Sequence, residues 1–383
     1  MALHFSTEEF DARKDRTIEK LEKRGLDGLL MFRQESMYYL TGYDSFGYVF
    51  FQCLYLGTDG HLMLLTRSPD LRQAQHTSII EDIRIWVDSA NANPADLLME
   101  ILKEFGCKRK RLGVEYDAYG LTAKNGKLLE NALQDFCTLE DASDLVSKLR
   151  VVKSEAEIVY VRKAAELADR AYDEAYRLAG AGADEGNILA AMQGVIFAGG
   201  GDYPGNEFII GSGKDALLCR YKSGRRKLDS QDQLTLEWAA AYRHYHAAMM
   251  RTIPVGHATA NHKEMHKVCM DAMQSCKEAL QPGRPIGEVF DAYAKTCDTA
   301  GMQDHRLNAT GYSLGTTFAP NWMDWPMFYH ANPVIAKPNM VFFLHMILMD
   351  SDTNHAICFG HTVVMTETGC ESLSNRPMDL IVK

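Results

Sequence analysis

Ser154 and Glu157 stand three residues apart at the head of an apolar stripe made by Ile158, Val161, Ala165, Ala168, Tyr172 and Ala175. A serine hydroxyl and a glutamate carboxylate at that spacing satisfy each other's orphan backbone donors, so the pair starts a helix. Steps of three and four residues then bring every apolar side chain to one face, and that face must pack against something. This helix divides the chain, because the sequence before it and the sequence after it are patterned differently. A length of 383 residues is in any case too much for one comfortable core. Two domains are therefore expected, 1–150 and 151–383.

In the first domain a second capping box, Ser6 with Glu9, opens a helix that Gly25 closes. Residues 26–32 form a short buried strand, and 49–56 and 61–66 form a hairpin around Thr58, Asp59 and Gly60. Further strands are expected at 83–87 and 111–115, with a helix over 94–104 between them. Strands alternating with helices predict an α/β domain with a mixed sheet. In the second domain, helices are expected over 262–280, stopped by Pro282 and Gly283, and over 286–300, ended by Gly301. Strands over 233–241, 244–255, 341–350 and 361–367 complete an α+β unit with antiparallel hairpins.

Composition narrows the function. A net charge of −10 argues against a nucleic-acid partner, because phosphate neutralisation needs clustered Lys and Arg. The short basic clusters at 108–111 and 225–227 fit solvated turns. No apolar stretch is long enough to cross a bilayer: the most apolar run, 340–349, is interrupted by His345 and reads as a core strand. The N-terminus lacks the basic start and apolar stretch of a signal peptide. Nine cysteines with no Cys-x-x-Cys pair fit reduced thiols, so the expected location is cytoplasmic. The run Gly211, Ser212, Gly213, Lys214, Asp215 lacks the ending of a phosphate loop, and no Gly-x-Ser-x-Gly elbow is present.

The segment from Leu149 and Arg150 through Lys153, Ser154, Glu157 and Ile158 resembles the hinge and first helix of the M24 peptidase/creatinase (pita-bread) superfamily. Leu280, Pro282 and Gly283 resemble its helical hairpin, and Arg251, Thr252, Val255 and Gly256 its strand after the second metal ligand. Lys337, Pro338, Met340, Val341 and Phe342 resemble the turn and strand that deliver its fourth ligand. The run from Val363 through Thr366 to Gly369 resembles its last strand. These landmarks fall in the family's order, and the N-terminal run Tyr38 to Asp44 is compatible with it. The resemblance implies an N-terminal creatinase-like α/β domain and a C-terminal pita-bread domain with a curved six-stranded sheet. It also implies a homodimer in which N-terminal loops reach the partner's site.

Metallopeptidases of this family hold two divalent cations with two Asp, one His and two Glu. Carried across on the landmarks, the first Asp falls on Glu237, the second on Ala248, and the His on Tyr312. The first Glu falls on His345, the last near Gly360 (or His361), and an accessory His on Arg220. One carboxylate and one imidazole are too few for two hard cations, which need an oxygen-rich shell. The expectation is no metal and no other cofactor. The rival is a softer metal on some of His244, His246, His345, His355 and His361.

The resemblance is nearer to the family's metal-free branch, ectoine hydrolase and creatinase, which open C–N bonds in small nitrogen-rich metabolites. It implies a small-molecule substrate: a cyclic amidine, an amide or a guanidino compound. Glu237 interrupts an apolar strand, where a carboxylate is costly unless partnered or functional; it is a candidate anchor, general base or nucleophile. His345 and His246 are candidates for proton transfer, Tyr312 for a hydrogen bond to developing charge, and Arg220 for a substrate carboxylate. Tyr43, Asp44, His244, Asp324 and Trp325 are further candidates for the pocket wall. The alternatives are an Xaa-Pro dipeptidase or aminopeptidase with a remodelled metal site, a non-catalytic ligand-binding protein, and a lyase.

Overall fold

A computed structural model describes residues 3–220 and 224–383; residues 1 and 2, where the N-terminal reading starts, lie outside the described residues. The chain divides into two compact units, Met1–Arg150 and Val151–Lys383.

In the first unit, α1 (Thr7–Arg24) begins at Ser6, whose hydroxyl accepts from the Glu9 N–H, and ends at Gly25 in the left-handed region. Five more helices follow: α2 (Gln34–Thr41), α3 (Leu71–Thr77), α4 (Pro94–Glu104), α5 (Ala123–Leu133) and α6 (Asp144–Arg150). The strands are β1 (Gly28–Met31), β2 (Cys53–Gly57), β3 (Leu62–Arg67), β4 (Asp82–Trp86), β5 (Arg111–Val114) and β6 (Thr138–Asp141). They form one sheet in the order β4-β3-β2-β1-β5-β6. The β2–β3 hairpin is antiparallel as expected, while β1–β5 and β5–β6 are parallel, so the sheet is mixed. Side chains alternate across β1: Leu29 and Met31 pack with α1, α2 and α6, while Leu30 packs with α4 and α5.

The second unit is an α+β domain around a curled antiparallel sheet. Helix α7 (Glu155–Leu178) starts at the reciprocal Ser154/Glu157 capping box. It is followed by α8 (Glu185–Ala198), α9 (Ala260–Ala279) and α10 (Gly287–Thr299). The strands are β7 (Ile209–Ser212), β8 (Asp232–Tyr242), β9 (Tyr245–Val255), β10 (Gly311–Ser313), β11 (Asp324–Met327), β12 (Val341–Asp350), β13 (His355–Thr366) and β14 (Gly369–Ser372). Their order is β11-β10-β12-β13-β9-β8-β7, with β14 beside β13. The sheet thus has eight strands rather than the six expected, because the short β7, β10, β11 and β14 join the four long ones.

One face of this sheet carries the helices. Trp238 of β8 is fully buried and its indole N–H donates to the Ala168 carbonyl of α7. Leu344, Met346 and Leu348 of β12 pack with Met265, Cys269 and Met273 of α9. Residues one step along each strand, Glu237 and His345 among them, must project from the opposite face. Removing the Ser154 side-chain cap with Ser154→Ala is expected to destabilise the chain by about 1 kcal/mol, read as a lower urea midpoint with an unchanged slope.

Candidate active site

The strand register sets a row of residues across the helix-free face. Glu237 pairs with Met250, Met250 with Gly360, and Gly360 with His345. Tyr312 of β10 pairs with Phe343 of β12 and belongs to the same face. Four strand steps separate Tyr312 from Glu237, about 19 Å on a flat sheet. Their side chains nonetheless meet: the Tyr312 hydroxyl donates to Glu237 Oε1 across 3.4 Å. The sheet therefore curls until its two ends face each other.

The trough so formed holds a cavity of about 160 Å3 with Glu237, Tyr312, His345 and Arg220 in its wall. Burial raises the Glu237 carboxyl to about 7, with the Arg220 charge and the Tyr312 hydrogen bond opposing it. Burial pushes the Tyr312 hydroxyl well above the ordinary phenol range, and the adjoining Glu237 carboxylate adds to this. His345 is driven by burial down to about 4, so its imidazole is neutral at pH 7. Its backbone is fastened to Thr310 on both sides, but its buried Nδ1 has no hydrogen-bond partner among the described residues. A buried polar atom left open in a cavity wall costs free energy until a ligand or water meets it. Arg220 is exposed on the loop after β7, at the rim.

The other candidate residues lie elsewhere. His246 is fully buried and does not line the cavity. Its Nε2 accepts from the Gly205 N–H at 2.8 Å, which leaves the proton on Nδ1, beside Thr317 Oγ1 at 3.1 Å and the Gly315 carbonyl at 3.4 Å. With both nitrogens committed and its pKa lowered to about 4, mainly by burial, His246 holds the loop that carries Asn206 and stands apart from the cavity. His244 belongs to the β8–β9 turn, not to a strand, with φ at 63° and its ring stacked on Phe318. Asp324 accepts from the Trp325 N–H, and Trp325 is partly exposed; neither lines the cavity. Tyr43 lies on the loop after α2, but its side chain is packed into the core of the N-terminal unit, where its hydroxyl donates to Gln52. Asp44 is half-buried there, its N–H donating to Thr77.

Asn206, Cys219, Asn321 and Trp322 line the cavity without having been singled out from the sequence. Trp322 is fully buried, and its indole N–H donates to the Tyr312 oxygen at 2.8 Å. Three of these residues are positioned by one close approach: a Cβ on Gly205 would meet the Asn321 carbonyl oxygen at 2.7 Å, so the loop bearing Asn206 packs directly on the segment bearing Asn321 and Trp322.

The donor set does not fit the two cations of the peptidase branch. The in-register row offers a carboxylate, a thioether, a glycine and an imidazole, and Ala248 lies further along β9 on the same face. A Cβ at Gly360 would meet the Leu344 carbonyl oxygen and the Phe343 ring at 2.8 Å each, so no side chain fits there without movement. His361 points to the helix side, toward Ser372, and His355 bonds Thr259 at the start of α9. Among the described residues no group of three or more His, Cys, Asp or Glu is placed to hold a metal ion, and no helix is long and apolar enough to cross a membrane.

The raised Glu237 carboxyl has a consequence for stability. Folded, the group keeps its proton to about 7, whereas its ordinary value is 4.5. The folded state therefore binds more protons between those values, and stability falls as pH rises through that window. Glu237→Gln removes the ionisable group, so the variant is expected to match the parent near pH 5 and to exceed it at pH 8 by on the order of 3 kcal/mol. Urea unfolding at the two pH values checks this, and a variant less stable at pH 8 would contradict it.

Residues 13–152 match the Creatinase/Prolidase N-terminal domain, and residues 159–367 match metallopeptidase family M24. The chain is 26% identical over 400 residues to the ectoine hydrolase of Halomonas elongata, covering 100% of this chain and 99% of the relative. It is 28% identical over 393 residues to an uncharacterised hydrolase/peptidase of Sinorhizobium fredii, covering 100% and 99%. It is 22% identical over 370 residues to the Xaa-Pro dipeptidase of Pyrococcus furiosus, covering 96% and 99%. Its fold is like that of the prolidase of Thermococcus sibiricus, with a TM-score of 0.88 at 20% identity over 98% of this chain and 99% of that one. The chain belongs to metallopeptidase family M24, as a hydrolase built from a Creatinase/Prolidase N-terminal domain and a pita-bread domain.

Proposed function

We propose that this chain hydrolyses a C–N bond in a small nitrogen-rich metabolite, a cyclic amidine, amide or guanidino compound, using protein acids and bases in place of metal ions. The observation that carries this reading is a single carboxylate poised near neutrality in a cavity wall shared with Tyr312 and His345, on a sheet face where the positions matching the family's other ligands hold Ala248 and Gly360. The likeness to the ectoine hydrolase supports the substrate class.

An amidine carbon is already electrophilic, and an amidinium presents planar N–H donors that a carboxylate receives in a bidentate way. Ionised Glu237 binds such a group and takes the proton from the attacking water. Protonated, it returns that proton to the departing nitrogen, and a group near pH 7 can do both. Tyr312, kept as a phenol by burial, donates to developing negative charge. The open Nδ1 of His345 gives the substrate a neutral hydrogen-bonding partner. Arg220 at the rim suits a substrate carboxylate.

The rival reading, an Xaa-Pro dipeptidase, draws on the identity to the Pyrococcus furiosus enzyme but meets a donor set without the required oxygens. Ectoine, hydroxyectoine, creatine and Xaa-Pro dipeptides, each tested with and without a strong chelator, separate the two. Turnover of an amidine, amide or guanidino compound should survive the chelator, and Glu237→Gln should lower kcat by about 100- to 10,000-fold. Turnover of the dipeptides alone, abolished by the chelator, would end the proposal.

A further inference from the structure

Trp322 touches the cavity at the one place where its polar atom can act on Glu237 through another residue. An indole N–H is a donor only, whereas a phenol has one proton to give and an oxygen that accepts. The indole donates to the Tyr312 oxygen at 2.8 Å, and the Tyr312 hydroxyl stands 3.4 Å from Glu237 Oε1. We infer that Trp322 is a positioning residue for Glu237: by occupying the acceptor side of Tyr312, its indole directs the phenol proton to the carboxylate and polarises that bond. This assignment rests on Glu237 being the acid/base of the site.

The geometry favours a fixed relay over a chance contact. Trp322 is 1% exposed, so its ring has no alternative partner in solvent. Its backbone is held from two sides, since the Trp322 carbonyl accepts from the Thr317 hydroxyl and its N–H lies beneath Gly205, where a Cβ would approach to 3.1 Å. Tyr312 is steered in turn by the rings of Phe343 and His345, with centroids 5.5 and 5.8 Å away. Donation from the indole makes the phenol a stronger donor, and each bond in such a chain strengthens the next. The carboxylate form of Glu237 gains more from this than the carboxyl form, so the relay opposes the effect of burial. Without the indole the phenol is free to rotate and the carboxyl should hold its proton to higher pH. Other groups acting on or beside Glu237 are Arg220 and Cys219 on the loop after β7, Cys358 on β13 and His345 on β12. None of them changes in the test below.

The test reads Glu237 itself and needs no substrate. The full chain, labelled with 13C at the glutamate side-chain carboxyl, is titrated by NMR, and Glu237→Gln identifies the resonance. Trp322 is replaced by benzothienylalanine, which keeps the bicyclic shape but lacks the N–H, so folding is preserved; Trp322→Phe is made alongside. Loss of the N–H should weaken Glu237 as an acid by roughly three- to tenfold, and Tyr312→Phe should do at least as much. In the Tyr312→Phe background the change at 322 should add nothing. An unmoved titration with the N–H removed, or an equal further shift in the Tyr312→Phe background, overturns the assignment. Because the readout is the carboxyl itself, a chain that fails to hydrolyse any C–N substrate sinks the proposed function while leaving this result to stand or fall alone.

Discussion

A phenol from one end of the second sheet and a carboxylate from the other meet at 3.4 Å, although four strand steps lie between them. Everything at the site depends on that curl. On a flat sheet Glu237 and Tyr312 would be about 19 Å apart and would share neither a hydrogen bond nor a cavity. The curl follows from how the two faces are filled. Helices α7, α9 and α10 bury the large apolar residues of one face, Trp238, Leu344 and Met346 among them. The other face carries small or flexible residues along its centre, Ala248, Met250 and Gly360, and therefore bends inward. Its polar groups stand at the two rims of the trough and are brought together by the bend.

A carboxylate surrounded by apolar groups is an energetic liability unless something compensates for lost water. In the peptidase branch, cations fill that role. At this site the compensation is partial: one hydrogen bond from Tyr312 and the charge of Arg220 leave the Glu237 carboxyl near 7 instead of returning it to its ordinary range. In the proposed hydrolysis this incomplete compensation would suit the group to carry a proton both ways, since a fully paired carboxylate would be too weak a base. The same reasoning separates two of the buried histidines, His246 and His345. His246 has both nitrogens engaged and contributes architecture; His345 has one open and faces the cavity.

Much of the fold was legible because its signals are local. The Ser6/Glu9 and Ser154/Glu157 capping boxes start their helices where the spacing indicated, and the hairpin β2–β3 forms around its Asp-Gly turn. The long strands were recognised from their apolar runs, although β13 begins six residues earlier, at His355, than the sequence suggested. The helices α2, α3, α5, α6 and α8 and the strands β6, β7, β10, β11 and β14 were not read. The five strands are short, and α8 carries two glycines and apolar residues around its circumference, so no periodic stripe marks it. Patterning gave the α+β class of the second domain, and the family landmarks gave its pita-bread form.

The site was legible where a polar residue interrupts an apolar strand, as with Glu237 and His345, because the expense of burying such a group implies a reason for it. It was not legible where long-range contacts decide the role. His246 also interrupts a strand, yet its partners are Gly205 and Gly315, backbone groups on two remote loops that no spacing could connect to it. In the run 321–327 the sequence reading settled on Asp324 and Trp325, while the residues in the cavity are Asn321, Trp322, Met323 and Met327. An edge strand of four residues with a bulge at its pairing to Tyr312 and Ser313 has no phase that sequence can fix. The choice between the two tryptophans is made by tertiary packing: Gly205 admits the backbone of residues 321 and 322, and this turns Trp322 inward to Tyr312 and leaves Trp325 partly in solvent. Glu237 could be recognised from its own surroundings, but the residues that steer it could be recognised only once the curl had put them beside it.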